Sequence, residues 1–224
     1  MQARRFEIGM AVLLLLAGGT LAGCNRAEQP PKQDPLQLPK VIVADPAAPE
    51  QPAPKSEPAQ PLPNEIVAAW KKAGARAGWI GRDADGYCNF AEKATGLADA
   101  VPAFSFASWK DGVVAKLPVP AALFGLNLLG TRVTDAGLKE LAGLKSLHTL
   151  ELNGTKVTDA GLKELAGLKS LHTLDLGFTK VTGAGLKELA GLKSLHTLRI
   201  DGTKVTDAGV AELQKALPAL AIRR

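Results

Sequence analysis

Residues that commonly carry chemistry are scarce in this chain. Its 224 residues include two cysteines (Cys24 and Cys88), three histidines, one tyrosine and three tryptophans. No histidine lies near Cys88 in sequence, which suits a small buried apolar residue better than an activated thiol. There is no P-loop, no GxGxxG, no HExxH and no paired-cysteine metal motif. Ser146 and His148 are accompanied by no nucleophile elbow. Asp83-Ala84-Asp85-Gly86 has its glycine two positions early for an EF-hand loop and lacks the closing glutamate, so it reads as a turn. These absences leave enzymatic activity unsupported and require neither cofactor nor metal. The positive surplus is mild, +5 over the whole chain. No aromatic stacking pattern accompanies it, which argues against nucleic acid as a partner.

What the chain has instead is self-similarity. LHTLELNGTKVTDAGLKELAGLKS (147–170) is followed by LHTLDLGFTKVTGAGLKELAGLKS (171–194) and LHTLRIDGTKVTDAGVAELQKA (195–216). Upstream, LFGLNLLGTRVTDAGLKELAGLKS (123–146) is the same unit without its histidine. A period of 24 residues points to a stacked solenoid. Within a unit, the alternation Leu150-Glu151-Leu152 suits a short half-buried strand. Thr158 and Asp159 can cap and charge a helix start. Leu162 and Leu165 share one helical face, and Gly167 sits where a left-handed helix stop is expected. Each unit thus has apolar residues on a strand and on a helix, and can bury them only against its neighbours. Thr131, Thr155, Thr179 and Thr203 form a column whose hydroxyls are expected to bond turn backbone between neighbouring repeats. Asp135, Asp159 and Asp207 begin helices, and Gly183 replaces that aspartate in one unit.

The pattern LxxLxLxxTxVTDAGLxxLxxL resembles the leucine-rich repeat family, in the variant whose ninth position is Cys or Thr instead of Asn. The resemblance covers about residues 123–222, slightly under half the chain. It implies an α/β fold: a short right-handed leucine-rich repeat solenoid, or horseshoe, with strands on the concave side and helices on the convex side. It also implies binding by the concave face.

The chain opens MQARRFEIGMAVLLLLAGGTLAGC: a basic start, an apolar run and then small residues, the organisation of a secretory signal peptide. The run is short for a membrane span and contains several glycines. Its end, Leu21-Ala22-Gly23-Cys24, resembles the bacterial lipoprotein lipobox. That resemblance implies cleavage before Cys24, lipidation of Cys24 and anchoring to a membrane of the bacterial cell envelope. Asn25 stands where an aspartate would retain such a protein at the inner membrane, which favours the outer membrane. With Cys24 lipidated, Cys88 has no partner for an internal disulfide. Loss of residues 1–23 removes Arg4, Arg5 and Glu7, so the net charge falls from +5 to +4.

Residues 24–64 hold eleven of the fifteen prolines and are expected to be a disordered linker, partly polyproline II. Residues 65–122 hold Trp70, Trp79, Trp109 and Tyr87. Asn64 is expected to cap a helix in NEIVAAWKKAGARA, and GWIGRDADGYCNF reads as two short strands around an Asp-Gly turn. FSFASWKDGVVAKL adds a further strand or helix. The segment is expected to be a small α+β N-terminal cap over the apolar end of the solenoid. A ligand-binding domain is the alternative. The solenoid spans 123–224, with units 123–146, 147–170, 171–194 and 195–216 and a closing segment at 217–224 carrying one more strand. Lysines such as Lys139 and Lys145, beside Glu140, recur as a solvated convex face.

His148, His172 and His196 occupy the second position of their units, at the strand edge. Stacked at about 5 Å, they should form a column. A linear column suits a surface ladder left by copying better than a tetrahedral metal site. The copies diverge at the positions expected to face concave solvent. The fifth position reads Asn127, Glu151, Asp175 and Arg199; the seventh reads Leu129, Asn153, Gly177 and Asp201; the eighth is glycine except for Phe178. The expected contact patch has Phe178 as apolar anchor, with Glu151, Asp175, Arg199 and Asp201 setting charge complementarity. The function expected is non-catalytic protein–protein interaction by a monomeric, envelope-anchored chain. The partner is an unidentified protein, a glycan being the second candidate class. A purely structural lipoprotein and a polysaccharide-binding protein are the alternatives.

Overall fold

A computed structural model of the chain describes residues 60–224 with the exception of Asp85. The expected signal peptide (1–23), Cys24 and all but the last five residues of the linker expected at 24–64 lie outside the described residues.

The folded part begins before residue 65, because Leu62 is already buried in the core. Helix α1 (Asn64–Lys72) follows, with Pro63 as its N-cap and no side-chain capping bond. Asn64 is therefore the first helical residue rather than the expected cap. Proline suits the entry because its fixed φ is set for an extended residue leading into a helix. Trp70, fully buried, stacks on Phe104 at 4.3 Å between centroids, and its indole N–H donates to the Pro118 carbonyl at 2.9 Å. Strands β1 (Ala75–Arg82) and β2 (Cys88–Ala91) form the expected antiparallel hairpin. Strand β3 (Ala98–Phe106) pairs antiparallel with β1.

From β3 onward the sheet is parallel. β3 pairs with β4 (Phe124–Asn127), the strand of the first repeat. Then come α2 (Asp135–Leu141), β5 (Leu147–Glu151), α3 (Asp159–Leu165), β6 (Thr173–Asp175) and α4 (Gly183–Leu186). A 3-10 turn at Lys187–Leu189 extends α4, and β7 (Thr197–Arg199), α5 (Asp207–Ala216) and β8 (Ala221–Arg223) complete the chain. All eight strands form one sheet in the order β2-β1-β3-β4-β5-β6-β7-β8. The architecture is an α/β repeat solenoid whose small α+β cap continues the same sheet.

Strand pairing sets the stack in register: Leu150 opposite Leu174, Leu174 opposite Leu198, and Leu198 opposite Ile222. With Leu138, Leu162 and Leu186 from the helices, these leucines are fully buried between sheet and helices. Each stabilises the fold by roughly 1.5–3 kcal/mol of apolar transfer. A separate small cluster, Ile80, Val101 and Ala103 with Cys88 and Phe90 against it, lies among the cap strands.

The first repeat enters out of step. Phe124 pairs with Leu147 but Gly125 pairs with Thr149, so the register shifts by one residue between them. Phe124 takes the buried place of Leu147, and Leu123 is left exposed. Gly125 is needed there because a Cβ would come 2.1 Å from Ile80 Cγ2.

The TDAG signature interlocks neighbours. The Asp135 carboxylate accepts from the Thr158 N–H at 2.8 Å and its hydroxyl at 2.7 Å; Asp159 does the same for Thr182 at 2.7 and 2.6 Å. Gly161 and Gly185 leave room for those carboxylates, since a Cβ on either would lie 2.4 or 2.3 Å from an aspartate oxygen. The repeat aspartates thus bond across repeats, beyond charging helix starts. The threonine column does the reverse of what was expected. Hydroxyls of Thr131, Thr155, Thr179 and Thr203 donate to carbonyls of Leu128, Leu152, Leu176 and Ile200 within their own repeats, at 2.6–2.8 Å. Gly167 is not left-handed either. Its helix closes on Ala166 in right-handed geometry, and positive φ falls instead on Gly130, Gly154 and Gly202 in the turn after each strand.

Candidate functional site

The fifth repeat position forms a row across the sheet. Asn127 pairs with Glu151, Glu151 with Asp175, Asp175 with Arg199 and Arg199 with Arg223. These side chains were expected to face open solvent. Glu151 and Asp175 do not: they are 4% and 1% exposed.

The cover comes from the cap. Tyr87, at the end of the β1–β2 turn, lies with its ring centroid 4.6 Å from Arg199 Cζ. One residue earlier, the Gly86 carbonyl accepts from Arg223 Nη1 at 2.8 Å. One residue later, Cys88 flanks Glu151. The sheet curls far enough for its first hairpin to reach its last strand, and the repeat carboxylates are buried beneath that contact. Nothing in the 24-residue pattern signals this, because the covering residues lie outside the repeats.

Burying carboxylates requires pairing. Asp175 Oδ1 accepts from the Gly177 N–H at 2.7 Å and Asn153 Nδ2 at 3.4 Å, while Oδ2 lies 3.4 Å from Arg199 Nη1. Arg199 also donates to Asp201 Oδ1, from Nη2 at 2.9 Å and from Nε at 3.2 Å. Gly177 makes the cluster possible: a Cβ there would lie 2.5 Å from Asn153 Nδ2 and 3.0 Å from oxygens of Asp175 and Asp201. Burial works against the Arg199 charge, but Asp175 and Asp201 outweigh it and raise its pKa. Burial raises Asp175, opposed by the Gly177 N–H and by Arg199.

Glu151 is paired less completely, with only Cys88 and Asp175 beside its carboxyl and Arg199 acting on it as a neighbouring charge. Burial first, then the Asp175 charge, push its pKa up to about 8. Its Oε1 is buried with no hydrogen-bond partner among the described residues. Neutral pH therefore favours its protonated form. Burial, then the neighbouring Glu151, push the Cys88 thiol far above its ordinary range, which disfavours the reactive thiolate while it is buried. Among the described residues, no three His, Cys, Asp or Glu side chains are grouped to hold a metal ion.

The five residues of the expected patch therefore divide. Asp175, Arg199 and Asp201 form one ion network, with Glu151 adjoining it under the hairpin. Phe178 stands apart in the turn after β6. It is 64% exposed, holds φ at +52° where the other repeats have glycine, and lays its ring against Gly202. Residues missed from sequence are Gly86, Tyr87, Cys88 and Arg223. With Arg199, Asp201 and Arg224, Tyr87 and Arg223 line an open recess of about 360 Å³.

The histidines do form a column. His148 and His172 stack at 4.8 Å with planes 8° apart, and His172 and His196 at 4.3 Å with planes 10° apart. Burial, then the neighbouring His172, push the His148 pKa down to about 4, against a pull from Asp99. Burial and His196 likewise lower His172. For His148 and His172, a proton on the stacked neighbour opposes their own.

The family model described as Leucine Rich repeat matches residues 143–166 and 167–190. The repeats within those residues are leucine-rich repeats. Among solved structures, an internalin C2 from Listeria monocytogenes is 31% identical, over 45% of this chain and 40% of that chain, with a TM-score of 0.36. An internalin from the same organism is 20% identical over 45% of this chain and 33% of its own, at 0.32. A leucine-rich repeat protein from Leptospira interrogans is 19% identical over 60% and 41%, at 0.33. The chain thus spans less than half the length of each of these three proteins. No protein of curated function matches the sequence.

Proposed function

We propose that this chain is a non-catalytic binding protein of the bacterial cell envelope, exported, lipidated on Cys24 and engaging another protein beside its concave face through Phe178. The observation that carries the reading is Phe178 itself. A large apolar side chain is 64% exposed on a left-handed backbone, where glycine serves three other repeats at no strain. Its ring touches Gly202 but buries little, and a strained, solvent-facing aromatic is the usual form of a binding anchor. Leucine-rich repeats generally mediate protein–protein interaction. Asp201 beside it, and Arg199 behind Asp201, supply charge to orient a partner. Placement at the envelope is supported by the signal-like start and by Leu21-Ala22-Gly23-Cys24, and the outer membrane by Asn25.

Crosslinking and capture from native membranes tests the reading, comparing the natural chain with Phe178→Gly. A partner captured by the first and lost by the folded variant is expected. Equal capture by both moves the site away from Phe178, and no captured protein from either overturns the reading.

A further inference from the structure

The β1–β2 turn treats the concave face as a ligand would. Three consecutive residues engage three repeat strands. The Gly86 carbonyl accepts from Arg223 on β8, the Tyr87 ring lies on Arg199 of β7, and Cys88 flanks Glu151 of β5. These contacts are of the kind that external peptides make: a backbone carbonyl on a guanidinium and an aromatic ring over a second one. The Arg199 side chain and the Arg223 backbone are positioned independently of the turn. Arg199 is held by Asp175 and Asp201, and Arg223 by the pairing of β8 with β7.

The repeats hold the tip of the turn by few contacts, a ring against Arg199 and one hydrogen bond from Arg223. Tyr87 is 51% exposed even when seated. Strand β2 is an edge strand that pairs only with β1, over four residues. The cap is anchored elsewhere, by Trp70, Phe104 and the β3–β4 pairing on the far side of the hairpin. Lifting β2 and its turn gives up the packing of Cys88 and Phe90 on Ile80, Val101 and Ala103, but leaves that anchor and the leucine stack in place.

We infer that the row Glu151, Asp175, Arg199 and Arg223 is a seat for a short polypeptide segment carrying an aromatic side chain and a free backbone carbonyl, and that residues 86–88 are its built-in occupant. A partner segment of that chemistry enters by displacing the turn. The inference rests on the proposed role of the concave side in binding, and it locates a second contact beside Phe178.

Cys88 reports the state of the seat, because its side chain is partly buried beside Glu151 when the turn is down. The test is made on the full-length chain, with alkylation by iodoacetamide mapped to Cys88 by peptide mass. The variant Tyr87→Ala with Arg223→Gln removes both tip contacts. It is expected to label at least about tenfold faster than the natural chain while keeping its cooperative thermal transition. A fluorescent peptide of the chain's own residues 86–91, with Cys88→Ser, is then titrated onto each protein. It should bind the variant Tyr87→Ala alone more tightly than the natural chain, and binding should weaken with the further change Arg199→Lys. Equal labelling of both proteins at the rate of global unfolding overturns the inference, because the hairpin is then a fixed part of the fold. Absence of peptide binding to every form overturns it as well. Neither arm uses the envelope partner, so a seat that opens and takes the peptide stands even if Phe178 captures nothing.

Discussion

The Tyr87 ring sits 4.6 Å from the Arg199 guanidinium, joining the cap hairpin to a repeat strand. This contact and the Gly86–Arg223 hydrogen bond turn an open concave face into a covered one. A double-mutant cycle with Tyr87→Leu and Arg199→Gln should return a coupling of roughly 0.5–1 kcal/mol, the range of a cation–π pair that keeps contact with water. Urea midpoints of the four proteins supply it. Additive losses would mean that the ring and the guanidinium are only neighbours.

Phe178 occupies a backbone that glycine adopts freely, at φ +52°. Relief of that strain, about 1 kcal/mol, is offset by the greater chain entropy of glycine and by lost contact with Gly202. Phe178→Gly should therefore be neutral or slightly stabilising in thermal unfolding. A loss above about 2 kcal/mol would make Phe178 a packing residue and remove the argument that it serves binding.

Two groups should make stability depend on pH in opposite senses. Glu151 has a folded pKa of about 8 against an ordinary 4.5. The folded state then holds a proton that the unfolded chain has released, so this contribution is full below about 4.5 and lost as pH rises to about 8. His148, lowered to about 4 from 6.5, acts in the other sense: its contribution is full above 6.5 and lost as pH falls towards 4. The two oppose each other between 4.5 and 6.5, and Glu151 acts alone of the pair from 6.5 to 8. Urea midpoints should fall from pH 6.5 to 8 in the natural chain, and this slope should flatten in Glu151→Gln. An unchanged slope would place its cause elsewhere.

The interlock between repeats is open to a similar test. Asp135→Ala loses two hydrogen bonds to Thr158, worth about 1–3 kcal/mol together. Gly161→Ala sets a methyl 2.4 Å from Asp135 Oδ1 and should destabilise by roughly 1–3 kcal/mol. The double variant should lose less than the two single losses added, because removing the carboxylate frees the space that the methyl needs. Strict additivity in denaturant unfolding would contradict the interlock.

Much of this fold is legible in the sequence because the repeats state it four times. Leucines at one spacing serve strands and at another serve helices, and only stacking buries both. The histidine column follows from the same 24-residue period. The interlock was only half legible. Asp159 reads as a helix-start residue, and its bonds to Thr182 depend on a neighbouring repeat brought close by stacking. Gly167 misled for a local reason. Its place after a helix suggests a left-handed stop, but the following turn closes without one and the left-handed positions fall after the strands.

The repeats by themselves determined the solenoid, the leucine core, the column of histidines and the divergence at positions five, seven and eight. Those features depend on spacing along the chain, and spacing is what a sequence records. Tertiary structure alone decided that Glu151 and Asp175 are buried, that Arg199 is bound between two aspartates, and that Phe178 remains free of them. The reason is curvature. The sheet bends until Gly86, Tyr87 and Cys88 meet strands far away in sequence, and no periodicity encodes a contact between a unique turn and a repeated face.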